Sequence, residues 1–181
     1  MYIALDDLIP FNEYFIIPYL LWFFYVAGAI GFFFLTDVKS YYKLCTMLFT
    51  GMTISLMICT VFPNGTDFRP VIDPSKNIFA KTVSYLYAAD TCTNVFPSIH
   101  VYNSICVHLA VIRSERLRKH HLVKTASFVL MVSICLATVF LKQHSAFDGF
   151  GAMAMAYIMY YFVYAGSYEP SRKKVSEKAI G

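Results

Sequence analysis

Charge is what this chain lacks most. Asp, Glu, Lys and Arg together make up 14% of its 181 residues, against roughly 25% in soluble domains. That scarcity excludes an intrinsically disordered chain and a charged coiled coil. Eight glycines and seven prolines are too few for a collagen-like or low-complexity polypeptide. The five cysteines, Cys45, Cys59, Cys92, Cys106 and Cys135, follow no zinc-site spacing and do not build a disulfide scaffold. A single Cys59–Cys92 bridge stays open. What fills the chain instead is apolar: 58% hydrophobic residues, with 17 Phe and 14 Tyr, and a mean hydropathy of +0.56. A soluble domain of this length cannot hide so many aromatic rings, so most must face lipid.

A helix needs about 20 largely apolar residues to cross a hydrocarbon core of roughly 30 Å. Five stretches are free of Asp, Glu, Lys and Arg, at 14–35, 44–63, 91–112, 125–141 and 149–168. Their apolar residues run on without alternating, which argues against a β-barrel. No repeat or linker divides the chain. The expected fold is an all-α polytopic membrane bundle with five spans, forming one domain over 1–181.

The basic residues sort by side. Eleven fall in one set of segments: Lys39, Lys43, Arg113, Arg116, Arg118, Lys119, Lys124, Arg172, Lys173, Lys174 and Lys178. Four fall in the other: Arg69, Lys76, Lys81 and Lys142. Cytoplasmic segments hold the excess of Lys and Arg, so the N-terminus is expected outside and the C-terminus inside. The net charge of +4 then reflects topology and not a nucleic-acid partner. The first span has no basic segment before it and is not read as a cleaved signal.

Polar groups at membrane depth are functional by default, and three clusters share the outer side. The first is Asn64-Gly65-Thr66-Asp67-Phe68-Arg69-Pro70, the second Phe96-Pro97-Ser98-Ile99-His100, the third Lys142-Gln143-His144-Ser145-Ala146-Phe147-Asp148. Pro97 suits the first position of a helix. The amides of Ser98 and Ile99 would then point outward as an anion site. His100 follows as a proton donor. His144 and Asp148, spaced i, i+4, share one face of a helix. The acid can fix the imidazole tautomer and leave the other nitrogen as a nucleophile. Arg69 presents a fork suited to phosphate oxygens. The set amounts to phosphoryl-transfer chemistry without a metal or cofactor. His108, deeper in the third span, reads as a helix-packing hydrogen bond.

These residues resemble the type 2 phosphatidic acid phosphatase superfamily, whose motifs are Lys-x6-Arg-Pro, Pro-Ser-Gly-His and Ser-Arg-x5-His-x3-Asp. The matching positions are Arg69-Pro70, Pro97-Ser98-Ile99-His100, and His144 with Asp148. The resemblance implies that His144 attacks phosphorus and that Asp148 orients it. It implies that His100 protonates the leaving group while Arg69, Ser98 and the Ile99 amide hold phosphate oxygens. The substrate it implies is a membrane lipid phosphate or pyrophosphate, handled at the outer face of the plasma membrane. The chain departs from the pattern at Phe62, where the first Lys would stand, at Ala137 and Thr138, where Ser-Arg would stand, and at Ile99 in place of Gly. Lys142 is the substitute cation. Members of the superfamily usually have six spans, so the chain reads as that fold without its first helix. A bulky residue at position 99 is also similar to the inositol-phosphorylceramide-synthase branch, which transfers a phospho-headgroup between lipids. A phosphotransferase, and an inactive phospholipid-binding protein, are therefore the alternatives.

Overall fold

A computed structural model describes residues 1–165. The basic segment 172–178 and the end of the fifth expected span lie outside the described residues. Those described fold as helices: α1 (Leu5–Leu8), α2 (Ile16–Thr36) after a 3-10 turn at Glu13–Phe15, α3 (Val38–Val61), α4 (Ile78–Ala89), α5 (Ile99–Arg113), α6 (His121–Phe140) and α7 (Ala146–Tyr160), which runs on into a π-helical turn at Tyr161–Ala165. Four of them are long and apolar enough to cross a membrane, over Glu13–Thr36, Val38–Val61, His121–Phe140 and Ala146–Tyr164. Phe24, Leu35, Leu56, Val61 and Tyr157 stand on their outer surfaces, exposed. Such a surface suits hydrocarbon and not water.

The expected third span is the exception. Its helix, α5, begins only at Ile99, so 15 residues give a rod of about 22 Å at 1.5 Å per residue. Residues 91–98 are not helical. Their apolar character comes from side chains that pack inward: Val95 is buried, and Phe96 stacks on Phe147 with ring centroids 5.2 Å apart. An isolated bridge pairs Gly65 with Thr93, and Phe96 donates its amide to Asn64 Oδ1 at 2.8 Å. The expected outer loop 64–90 likewise contains a helix, α4, which Asn77 caps by accepting from the Ala80 amide at 2.8 Å.

α5 is the axis of the bundle. Val101, Tyr102, Asn103, Ser104, Cys106, Val107, Ala110 and Val111 are all buried along it. The Tyr102 hydroxyl donates to the Met47 carbonyl at 2.7 Å, and its ring lies over Gly51, where a Cβ would come within 2.1 Å of the ring carbons. Only glycine admits that approach. Gly51→Ala is expected to cost about 1–3 kcal/mol through overpacking, read as a lower melting temperature of the detergent-solubilised protein. An unchanged melting temperature would mean that α3 and α5 do not pack this closely.

At the opposite end from the polar clusters, α2 passes into α3 through Asp37 alone. Its carboxylate accepts from the Ser40 amide, from the Ser40 hydroxyl and from Ser114 Oγ after α5. Burial pushes the Asp37 carboxyl up, but these donors outweigh it and hold the acid below its ordinary value. His108 Nδ1 lies 3.0 Å from Ser127 Oγ, which Tyr25 also bonds at 2.6 Å. That hydroxyl joins α2, α5 and α6 in one interhelical contact of the kind expected for His108. All five cysteines are free, and Cys59 Sγ donates to the Phe96 carbonyl at 3.3 Å.

Candidate active site

Three segments far apart in sequence meet at one end of α5. Ser98 caps that helix and donates its amide to the Asp148 carbonyl at 3.2 Å, which joins the second cluster to the third. Two details of the expected arrangement change as a result. Pro97 precedes the cap and is not the first helical residue, and the Ser98 amide is spoken for and not free. The Ser98 hydroxyl remains fully buried without a partner.

The third cluster is shaped by the ends of two helices. α6 stops at Phe140, and Lys142 turns the chain with a φ of 53°. The amides of Gln143 and His144 both return to the Thr138 carbonyl, at 3.0 and 3.1 Å, so they close the open end of α6. α7 then starts with a capping box: the Ser145 amide donates to Asp148 Oδ2 at 2.9 Å, and the Phe147 amide to Ser145 Oγ at 3.1 Å. His144 therefore sits just outside α7 and does not share a helix face with Asp148. The turn still brings the two together, with Nδ1 3.5 Å from Asp148 Oδ2. Asp148 is fully buried and His144 nearly so. The contact is an ion-pair distance and not a hydrogen bond, and an imidazole faced by a carboxylate at Nδ1 presents Nε2 on its other edge.

His100 is the second residue of α5. Its ring packs between Tyr19 and Trp22 of α2, at centroid distances of 4.6 and 4.4 Å, and 5.8 Å from the ring of His144. Both histidines line a cavity of about 460 Å³ together with Tyr19, Trp22, Gln143 and Asp90.

Arg69 approaches from behind. Its fork donates to the Asp90 and Thr91 carbonyls at 2.7 and 3.3 Å and to Gln143 Oε1, and its plane lies over the Tyr87 ring at 4.7 Å. It is not among the residues that line the cavity. Gln143 stands between, with Oε1 held by Arg69 and Nε2 without a partner. Lys142 turns elsewhere: Nζ donates to the carbonyls of Asp6 and Ile9 at 2.6 and 2.5 Å. The expected substitute cation is thus a strut to the N-terminal segment and not a cavity residue. Thr138, where the family pattern has Arg, is buried and serves as the carbonyl cap of α6.

The cavity wall carries an excess of unanswered polarity. Trp22 Nε1, Gln143 Nε2, His100 Nδ1 and His144 Nδ1 are all buried without a hydrogen-bond partner, as are Arg69 Nε and Asp148 Oδ1 close by. Buried polar atoms are normally satisfied, and each exception costs about 1–3 kcal/mol. Trp22 Nε1 and Gln143 Nε2 are obligate donors. Trp22 and Gln143 line the cavity with the two imidazoles, and their unpaired donors lie buried beneath its wall. Neither Trp22 nor Gln143 stands out in the sequence. The one available signal was that Gln143 is an amide beside His144 at the end of an apolar run. Among the described residues, no group of three or more His, Cys, Asp or Glu side chains gathers as metal ligands do.

Compared with protein-family models, with curated proteins and with solved structures, the chain finds no match.

Proposed function

We propose that this protein is a membrane lipid phosphatase of the type 2 phosphatidic acid phosphatase kind, acting through a phosphohistidine. The observation that carries the reading is the pair His100 and His144, brought from distant segments to one cavity with their rings 5.8 Å apart and Asp148 beside His144. In the forward step His144 Nε2 forms a bond to phosphorus as the ester P–O bond breaks, and His100 gives its proton to the departing lipid alkoxide. Asp148 holds the imidazole by Nδ1 and steadies the charge that it gains. Gln143 Nε2 and Trp22 Nε1 donate to phosphate oxygens. Arg69, bonded to Gln143 Oε1, polarises that amide without touching the anion. In the return step water attacks phosphorus, yields its proton to His100 and releases inorganic phosphate, which restores both histidines.

Tyr19, Trp22, Phe23 and Leu86 form the apolar part of the cavity wall, which suits a lipid bearer. The split of basic residues supports a site facing outside the cell. Transfer to a lipid alcohol in place of water shares every step as far as the phosphohistidine.

The test is phosphate release from a short-chain phosphatidic acid by the purified chain in detergent. We expect turnover to survive EDTA and to be blocked by vanadate, whose trigonal bipyramidal form mimics the transition state and so binds far more tightly than substrate. Turnover that dies on chelation and returns with magnesium would sink the mechanism. Capture of the phosphoryl group by an added lipid alcohol, with no free phosphate, would show a transferase. Sealed right-side-out vesicles should hydrolyse an impermeant phosphate ester without permeabilisation if the site faces outward.

A further inference from the structure

Asp6 is 3% exposed, and no step of the chemistry above uses it. An acid so deeply buried needs donors, and every one it finds but one belongs to the loop that carries His144. Asp6 Oδ2 accepts from Ser145 Oγ at 2.6 Å, and Oδ1 from the Ala146 amide at 2.8 Å. The Ile3 amide completes the set at 2.9 Å. The Asp6 carbonyl accepts from Lys142 Nζ, which also reaches the Ile9 carbonyl. Further along the same segment, the Asn12 amide donates to the Phe140 carbonyl at 3.0 Å.

Positions 140, 142, 145 and 146 are therefore all tied to residues 6–12. Of the three positions without a bond to that segment, Leu141 accepts from the Tyr87 hydroxyl, while Gln143 and His144 line the cavity. The linkage reaches His144 by a short path. Ser145 bonds Asp6 through its hydroxyl and Asp148 through its amide, and Asp148 Oδ2 faces His144 Nδ1. The loop's own bonds close the ends of α6 and α7, and the bonds to residues 6–12 anchor it to a third segment.

We infer that Asp6 is a positioning residue: with Lys142 it clamps the 140–146 loop and so holds His144 in line for attack on phosphorus. The inference rests on the phosphatase reading for its catalytic half. Its structural half, the clamp, is separable. A misplacement of about 1 Å in a reacting group can cost on the order of 10²-fold in rate.

The experiment uses the full chain in detergent with Asp6→Asn, Lys142→Met and, as a control on an exposed neighbour, Asp7→Asn. Two readouts are taken below the melting temperature of every variant: hydrogen exchange across 140–149, and kcat and KM on dioctanoyl phosphatidic acid. Asp6→Asn and Lys142→Met should each speed exchange in 140–149 and lower kcat by about tenfold or more, with KM within about twofold. Asp7→Asn should change neither. Asp6→Asn combined with Ser145→Ala should lose little more than either alone, because the two act through one contact. Unchanged exchange in both clamp variants overturns the clamp, whatever the activity. Faster exchange with an unchanged kcat, or a loss confined to KM, overturns the positioning role. If the wild type neither turns over the lipid nor traps phosphate on His144, the phosphatase reading falls with the catalytic half, and exchange decides the clamp alone.

Discussion

His144→Ala should abolish hydrolysis of every phosphate ester and every trace of phosphoenzyme, whereas His100→Ala should fail on lipid yet keep appreciable activity on p-nitrophenyl phosphate. The asymmetry follows from the roles proposed above. His144 supplies the attacking nitrogen, and nothing nearby replaces it. Asp148 is already on its Nδ1 side, and Gln143 is not a nucleophile. His100 supplies a proton to the leaving oxygen. General acid help is typically worth about 10²–10⁴-fold, and its full worth is felt when the leaving group is an alkoxide. Nitrophenolate departs largely unaided. Asp148→Asn should fall between the two. It leaves the imidazole in place but exchanges the acceptor at Nδ1 for a group that can present a donor, as a mis-set orienting acid does in a hydrolase triad. The same change leaves the Ser145 amide without its carboxylate partner, so part of the loss will come from the loop. Initial rates of the three variants on both esters, with acid-quenched trapping of labelled phosphate, decide the matter. Should His144→Ala keep phosphatase activity while His100→Ala loses it on both esters, the two assignments are reversed.

Gln143→Glu should be nearly as damaging, and for an electrostatic reason. The substitution keeps size and shape and keeps an oxygen for Arg69. It replaces the open Nε2 donor with a carboxylate oxygen on the cavity wall. A donor aimed at a developing anion is worth about 10²–10³-fold when removed, and here repulsion is added to the loss. The expected result is a fall of at least that order in kcat/KM, with vanadate inhibition weakened in parallel. Gln143→Leu removes the donor without adding charge and should be the milder change. If Glu at this position leaves vanadate inhibition untouched, the amide does not face the anion, and Arg69 loses its route to the site.

The parts of this molecule that could be read from the chain are those written locally. Charge-free runs find α2, α3, α6 and the start of α7, because a membrane helix satisfies its own backbone, although α3 begins six residues earlier than its run, at Val38 and not at 44. His100, His144 and Asp148 stood out as ionisable groups at the ends of apolar runs. The misreadings share a cause. Residues 91–98 look like membrane helix because they carry no charge, yet Val95 lines the cavity and Phe96 stacks on Phe147 of α7. Lys142 looks like a phosphate ligand because it lies two residues from His144. Its actual partners are carbonyls more than 130 positions away, and no spacing rule reaches them. Gln143 carries no signal in the sequence, because an amide has no motif. What gives it meaning is the guanidinium of Arg69 behind it.

The shortness of α5 has a kinetic corollary. At about 22 Å it falls some 8 Å short of a hydrocarbon core of roughly 30 Å. Arg113 ends it on the basic side, so the missing length lies at the histidine end. His100, the second residue of α5, thus stands at the short end of the axis helix, beside α2, which is long enough to cross. A phosphate arriving from solution must climb down to it, while one carried by a lipid need only drift sideways. On the proposed phosphatase reading, the concentration that governs turnover is then two-dimensional. Rate should follow the mole fraction of substrate in the bilayer, and diluting the substrate with inert lipid should slow the enzyme even when the total amount in the tube is unchanged.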